Sequence, residues 1–144
     1  MIRTVQTEII TETIKKMCIE ANYSLSSDMV KAMRKAEEKE ESVLGKQILA
    51  QLQDNLEIAA SDMIPICQDT GMAVVFLEVG QDVHFEGGSF EDAVNEGVRR
   101  GYTEGFLRKS VVGDPILRES TKDNTPAVIH TRIVEGDRVK ITVA

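Results

Sequence analysis

The sequence is poor in cysteine, with Cys18 and Cys67 alone among its 144 residues. Two cysteines do not make a disulfide framework, so a reducing cytoplasm is the simplest expected compartment. The sequence has no apolar run near the roughly 18 residues of a membrane-spanning helix, and it begins with no signal-peptide pattern. A net charge of −7 argues against nucleic acid and anionic membranes as partners, because both are bound by basic faces.

What is present is typical of a soluble globular protein, with 42% hydrophobic and 28% charged residues. The length fits one domain over residues 1–144 and is sufficient for a buried core. The last residues, 139–144, have the composition of a strand. The sequence thus stops inside or directly after a strand, and natural domains rarely end so abruptly without a polar tail. We therefore expect the chain to be a fragment or an excised domain.

Apolar spacing predicts helices over about 4–22 and 42–60. Between them, Ser26 or Ser27 can cap a further helix that extends to about Lys39. The run 72–79 (MAVVFLEV) predicts a strand buried on both faces. Ser89, with Asp92 three residues later, caps a fourth helix that extends through about Glu104, and residues 105–125 are expected to be mostly loop. Residues 127–134 and 138–143 flank a turn and predict a β-hairpin. The expected class is α+β, with the N-terminal helices packed on a small mixed or antiparallel sheet.

Cys67 lies in the segment PICQDTG, after a helix-ending proline and before the apolar strand. Thiolates bind zinc, copper(I) and iron–sulfur clusters, but no second ligand follows at zinc-site spacing. His84 and His130 are isolated in the sequence, and we expect His130 to be an ordinary strand residue. From the residues alone, an iron–sulfur ligand, a thiol nucleophile and a plain structural cysteine remain open. Cys18 lies on an apolar helical stripe and is expected to be a buried core thiol.

Four segments carry a resemblance when taken together: PICQDTGMAVVFLEVG, VHFEGG, GYTEGFLRKSVVGDP and TKDNTPAVIHTRIVEGD. In combination they resemble the iron–sulfur hydro-lyases of the class I fumarate hydratase and L-tartrate dehydratase group. The similarity is to the N-terminal region of the alpha subunit, or of the single-chain form, and it extends over nearly the whole chain. It implies an oxygen-sensitive 4Fe–4S cluster held by three cysteines, with the fourth iron open to substrate.

The resemblance implies that Cys67 is one cluster ligand and that the other two lie outside this chain. It assigns Gln68 and Asp69 to the active site as catalytic and substrate-binding residues. Arg108 of the LRKS motif is the expected contact for a substrate carboxylate, since a guanidinium binds carboxylates bidentately. Lys109, Arg118 and Lys122 are expected to be surface or structural residues, and the general base is expected outside these residues.

The leading hypothesis is a component of a hydro-lyase that reversibly hydrates fumarate to malate, a reaction of the tricarboxylic acid cycle. The alternatives are an L-tartrate dehydratase alpha subunit, a non-catalytic assembly module and a thiol-dependent enzyme. The expected partners are a dicarboxylate substrate and a beta subunit or C-terminal domain, in a dimeric assembly. The chain by itself is expected to be inactive and to purify without an intact cluster.

Overall fold

The computed structural model describes residues 2–67 and 71–144, which form two compact units. We call residues 1–19 and 69–144 the sheet unit and residues 20–68 the helical unit. Such compactness does not decide whether the units fold independently, so the expected single domain over 1–144 stays a prediction. The elements, in chain order, are β1 Arg3–Gln6, α1 Thr7–Tyr23, α2 Ser27–Lys39, α3 Val43–Asp62, β2 Val74–Gly80, β3 Val83–Glu86, α4 Phe90–Glu104, β4 Val128–Val134 and β5 Val139–Val143.

Helices and strands occur together in the proportions of an α+β protein, which confirms the predicted fold class. The sheets are small. One pairs β1 with β3 in parallel, and the other is mixed, with the order β4-β2-β5. No described helix has the length and apolarity needed to cross a membrane.

The starts of α2, α3 and α4 agree with the prediction, because helix starts are encoded locally. Ser26 precedes α2, and Ser42 caps α3 by accepting a hydrogen bond from the Gly45 N–H. Ser89 caps α4 by accepting from the Asp92 N–H, as its spacing predicted. The first strand was missed. Residues 3–6 pair with β3 rather than continuing the first helix, because a four-residue edge strand has no periodicity to identify it.

The predicted hairpin of β4 and β5 is wrong. Both strands pair with β2, which lies between them, parallel to β4 and antiparallel to β5. The glycine-containing turn between the two strands therefore spans the width of one strand. Sequence proximity suggested direct pairing, whereas the most apolar strand occupies the centre, where it can form hydrogen bonds on both edges.

The prediction that β2 is buried on both faces is also wrong. Its side chains alternate: Val75, Leu77 and Val79 are buried, whereas Phe76 is 46% exposed. Phe76 stacks on His130 of β4 across the open face, with ring centroids 5.2 Å apart. One face of the mixed sheet therefore contributes to the core of the sheet unit.

Helices α1 and α4 supply the rest of that core. Thr11 is buried, and its hydroxyl donates to the Ala93 carbonyl oxygen at 2.9 Å. The buried apolar side chains of the two helices are Ile10, Ile14, Cys18, Ala93, Val94 and Val98. At the rim, Arg100 donates to Glu8 and Glu12 of α1 at 2.7 and 2.8 Å. Apolar burial and a charged rim together join the two helices.

Candidate active-site region

Cys67 lies in the loop that follows α3, at the end of the helical unit. Met63 ends the helix in the left-handed conformation, with φ 55°. The loop is then fixed by two hydrogen bonds: the Ile66 N–H donates to the Asn22 carbonyl oxygen at 2.8 Å, and the Cys67 N–H donates to Asn55 Oδ1 at 3.0 Å. Cys67 itself is exposed. An exposed thiol on an anchored backbone is suited to binding a metal group.

Cys18 differs in every respect. It is 1% exposed on α1, and burial raises the pKa of its thiol to about 12. A thiol that is difficult to ionise is a poor metal ligand, because metals bind the thiolate. The prediction of a core thiol is confirmed, and Cys67 is left as the accessible cysteine of the pair.

Gln68 and Asp69 lie outside the described residues, as does Thr70. Their predicted roles in catalysis and substrate binding stay predictions. The described chain resumes at Gly71, which leads into β2.

Arg108 lies in the loop after α4 and is exposed. Gly105 caps the helix, and Phe106 adopts the left-handed conformation with φ 53°. Leu107 then returns to the core at 4% exposure, so Arg108 directly follows a buried anchor. The salt bridges among the described residues do not include the Arg108 guanidinium. Its role as a substrate contact stays a prediction.

Asn124 was not singled out from the sequence, yet it organises this loop. Its side chain is fully buried, with 0% exposure. Its Oδ1 accepts from the Ser110 N–H at 2.7 Å and from the Val111 N–H at 3.0 Å. Its Nδ2 donates to the Gly71 carbonyl oxygen at 3.4 Å. One carboxamide thus connects the ends of three separate sequence segments.

The signal in the sequence that could have identified Asn124 is its residue type, because asparagine is favoured where the backbone is left-handed. Its φ is +63°, in the left-handed region that asparagine tolerates better than most residues. The neighbouring Asp123 accepts hydrogen bonds from both the N–H and the hydroxyl of Thr125, at 3.0 and 2.8 Å. Burial opposes ionisation of Asp123, but the hydrogen bonds from Thr125 hold its pKa below the ordinary value. This polar turn fixes the segment before β4.

Between Val111 and Thr121 the chain forms a short finger. Thr121 donates from its N–H to the Val111 carbonyl oxygen at 3.0 Å, and Val112 bridges Ser120. Asp114 closes the tip by accepting from the Ile116 and Leu117 N–H groups. The expectation that residues 105–125 are mostly loop is confirmed, since this bridge is their only described β-pairing.

The other basic and imidazole residues are peripheral. Arg118 and Lys122 are exposed, as predicted for surface residues, and Lys109 is half-buried. His130 lies exposed on the open sheet face against Phe76, and His84 lies exposed on β3. Ser110 is of more interest, because its hydroxyl is buried and has no hydrogen-bond partner among the described residues. It lies two residues from Arg108.

The described ranges contain no group of three histidine, cysteine or acidic residues that could hold a metal ion. A single exposed thiol at Cys67 fits a metal group whose further ligands come from other segments. It would not hold such a group by itself, because structural and cluster sites need three or four protein ligands.

Comparison with known proteins gives a consistent result. The sequence profile of the family described as fumarate hydratase (Fumerase) matches residues 11–144. The chain is 34% identical over 116 residues to a putative L(+)-tartrate dehydratase subunit alpha of Methanocaldococcus jannaschii, covering 80% of this chain and 40% of that protein. It is 38% identical over 97 residues to the anaerobic class I fumarate hydratase of Escherichia coli, covering 66% of this chain and 18% of that protein.

A further relative is the L(+)-tartrate dehydratase subunit alpha of Escherichia coli, 24% identical over 137 residues. That alignment covers 93% of this chain and 45% of the relative. The chain thus spans less than half the length of these curated relatives. These relatives are named as fumarate hydratases and tartrate dehydratases. The chain belongs to the fumarate hydratase (Fumerase) family, and the resemblance inferred from its motifs is confirmed.

Proposed function

We propose that this chain is the N-terminal region of the alpha subunit, or of the single-chain form, of an iron–sulfur hydro-lyase that reversibly hydrates fumarate to malate. The observation that carries the proposal is the Asn124 carboxamide. It connects Gly71 of the CQDTG motif with Ser110 of the LRKS motif, from within the TKDNTP motif. Three segments distant in sequence meet at one buried polar group, as the segments of an active site do.

The roles follow from the chemistry of each side chain. The exposed guanidinium of Arg108 binds one carboxylate of the dicarboxylate substrate and orients it bidentately. Gln68 and Asp69 hydrogen-bond the substrate or a water molecule. Cys67 is one thiolate ligand of a 4Fe–4S cluster, whose open iron, when bound, supplies Lewis-acid polarisation of a substrate oxygen. The general base comes from another segment or from a partner subunit.

The remaining parts of the assembly are supplied elsewhere. We propose a beta subunit or C-terminal domain as the partner, a dimeric complex and a cytoplasmic location. By itself the chain is expected to be inactive and to purify without an intact cluster, because a single described thiolate is offered to the metal. Four irons bound per 144-residue chain would contradict that expectation.

The test uses the full-length complex reconstituted anaerobically with iron and sulfide. Cys67→Ser should abolish cluster assembly and reduce hydration of fumarate to background, because one of three ligands is lost. Cys18→Ala is the matched control, since Cys18 is buried and should keep both iron content and activity. If the wild-type complex takes up no iron and Cys67→Ser changes neither iron content nor activity, the proposal of an iron–sulfur enzyme is wrong. A non-catalytic assembly module then becomes the better interpretation.

L-tartrate dehydratase is the second candidate. It is favoured by the archaeal relative named as a putative L(+)-tartrate dehydratase subunit alpha, which is 34% identical over 80% of the chain. Measuring kcat/KM of the full complex for fumarate and for L-tartrate separates the two. A thiol-dependent enzyme would instead lose activity on alkylation of Cys67 and would be indifferent to metal removal.

A further inference from the structure

Asn124 has the contacts of a residue that acts on the site through the backbone. We propose that Asn124 is a positioning residue: its carboxamide fixes the loop that carries Arg108 in the place where the guanidinium meets a substrate carboxylate. The inference rests on the proposed function for the identity of the ligand, a dicarboxylate. The geometric part rests on hydrogen bonds within the sheet unit alone.

The first step concerns the loop backbone. Val111 is 8% exposed, and its N–H donates to Asn124 Oδ1 at 3.0 Å, while the Ser110 N–H donates to the same oxygen at 2.7 Å. A buried N–H without a partner is costly, so removal of the carboxamide would drive these two residues to find other acceptors. We expect the loop to shift from its position when these two hydrogen bonds are lost.

The backbone is held on both sides of Arg108. On its N-terminal side, the Leu107 N–H donates to the Tyr102 carbonyl oxygen at 3.1 Å, and the Leu107 side chain is 4% exposed. On its C-terminal side the chain is held at Ser110 by Asn124. Arg108 and Lys109 therefore span two anchors, one apolar and one polar. Loss of the hydrogen bond to Asn124 would allow the Arg108 side chain to change direction, although the guanidinium itself is unaltered.

The third step concerns the other end of the carboxamide. Asn124 Nδ2 donates to the Gly71 carbonyl oxygen at 3.4 Å, a longer and weaker contact than the two made by Oδ1. The asymmetry predicts that the acceptor half of the side chain positions the Arg108 loop, while the donor half contributes less.

The backbone at Asn124 makes a clean variant possible. With φ at +63°, glycine fits this position without strain, whereas alanine would add a conformational cost. Asn124→Gly therefore removes the carboxamide and keeps the turn. Asn124→Asp keeps an acceptor for the two N–H groups and loses the donor to Gly71.

The experiment uses the full-length complex and succinate, an unreactive dicarboxylate, as the binding probe. Asn124→Gly should weaken succinate binding about tenfold and lower kcat/KM about 100-fold, since small displacements of a positioned group have effects of this size. Arg108→Ala should weaken succinate binding at least as much. The double variant should bind no more weakly than Arg108→Ala, because Asn124 acts through Arg108.

Amide hydrogen exchange supplies a readout that needs no activity. Exchange at Ser110 and Val111 should become at least about tenfold faster in Asn124→Gly and stay slow in Asn124→Asp. The matched control is Asn95→Ala, because Asn95 Oδ1 accepts from the Ala127 N–H at 2.9 Å in a comparable side chain-to-backbone contact. It should speed exchange at Ala127 and leave succinate binding unchanged.

Two results would overturn the inference: additive losses in the Asn124→Gly, Arg108→Ala double variant, or unchanged succinate affinity despite fast exchange at Ser110. Failure of the proposed function is visible separately. If the complex neither hydrates fumarate nor dehydrates L-tartrate, yet binds succinate through Arg108 and Asn124, the proposed reaction is wrong and the positioning role stands.

Discussion

The two compact units differ in how they are held together. The sheet unit buries apolar side chains from α1, α4 and β2, including Ile14, Val75 and Val98 at 0% exposure. In the described part of the helical unit, Ala59 is the only buried apolar residue, and every residue of α2, all of them described, is at least partly exposed. A cavity of about 200 Å³ lies between α2 and α3, lined by residues such as Leu25, Val30 and Leu56.

The two predicted functional residues therefore lie on differently packed parts of the chain. Arg108 lies in a loop that is anchored to the core of the sheet unit. Cys67 instead follows α2 and α3, which bury few apolar side chains. Local opening has a low free energy where few apolar contacts are buried. We therefore expect the Cys67 segment to open more readily than the Arg108 loop.

The largest expected difference lies between the two cysteines in the metal-free chain. A pKa of about 12 for Cys18, against an ordinary 9.0, leaves about a thousandfold less thiolate at neutral pH. Burial also denies access to reagent. A chromogenic disulfide reagent should label Cys67 alone in the native chain and both cysteines in denaturant. Rapid labelling of Cys18 in the native state, identified by mass spectrometry, would contradict the described core.

The next effect compares matched isoleucines. Ile14→Ala, at 0% exposure on α1, should reduce the free energy of unfolding by about 2–5 kcal/mol, because it leaves a cavity. Ile48→Ala, at 49% exposure on α3, should change it by less than about 0.5 kcal/mol. Urea denaturation of both variants gives the two values. Equal losses would mean that α3 is as well packed as α1.

Two helical glycines sharpen the comparison further. A Cβ at Gly97 would lie 2.7 Å from the Thr11 carbonyl oxygen and 2.9 Å from Ile14 Cβ. Gly97→Ala should therefore push α1 away from α4 and reduce the free energy of unfolding by about 1–3 kcal/mol. The three atoms nearest to a Cβ at Gly45 would all belong to the Glu40 side chain, which can move. Gly45→Ala should stay within about 1 kcal/mol of wild type, since the gain in helix propensity offsets the adjustment. Thermal unfolding compares the pair.

The smallest effect concerns the charged rim of the sheet unit. The hydrogen bond from Arg99 holds the pKa of Glu96 below its ordinary value near 4.5, and Arg100 adds to it against the opposing effect of burial. Because the pKa of Glu96 is lowered by folding, its ionised carboxylate stabilises the fold above pH 4.5. This stability is lost as the pH falls through the pKa that Glu96 has in the folded protein.

Glu96→Gln should therefore lower the urea midpoint at pH 7, and the difference from wild type should shrink in acid. Glu37→Gln is the control in the helical unit, because a glutamine there can still accept the hydrogen bond that Gln53 donates. A difference for Glu96→Gln that is the same at pH 7 and pH 3 would show that the carboxylate charge contributes nothing.

Local chemistry made much of this predictable. Ser89 caps its helix where the sequence indicated, and Cys18 is buried on its apolar stripe. Strand pairing was not predictable in the same way. The partners of β2 lie about 50 to 70 residues away in sequence, and nothing local to β4 or β5 shows that a third strand separates them.

The α+β class, the family and the choice of Cys67 and Arg108 as candidate residues could be predicted from the sequence, because they depend on local pattern and on motifs read in order. Only the tertiary structure decided that Phe76 lies exposed on the sheet and that Asn124 reaches Gly71, Ser110 and Val111. These contacts join residues 13 to 53 positions apart. They form because a buried carboxamide and buried backbone N–H groups must find partners once the chain has folded.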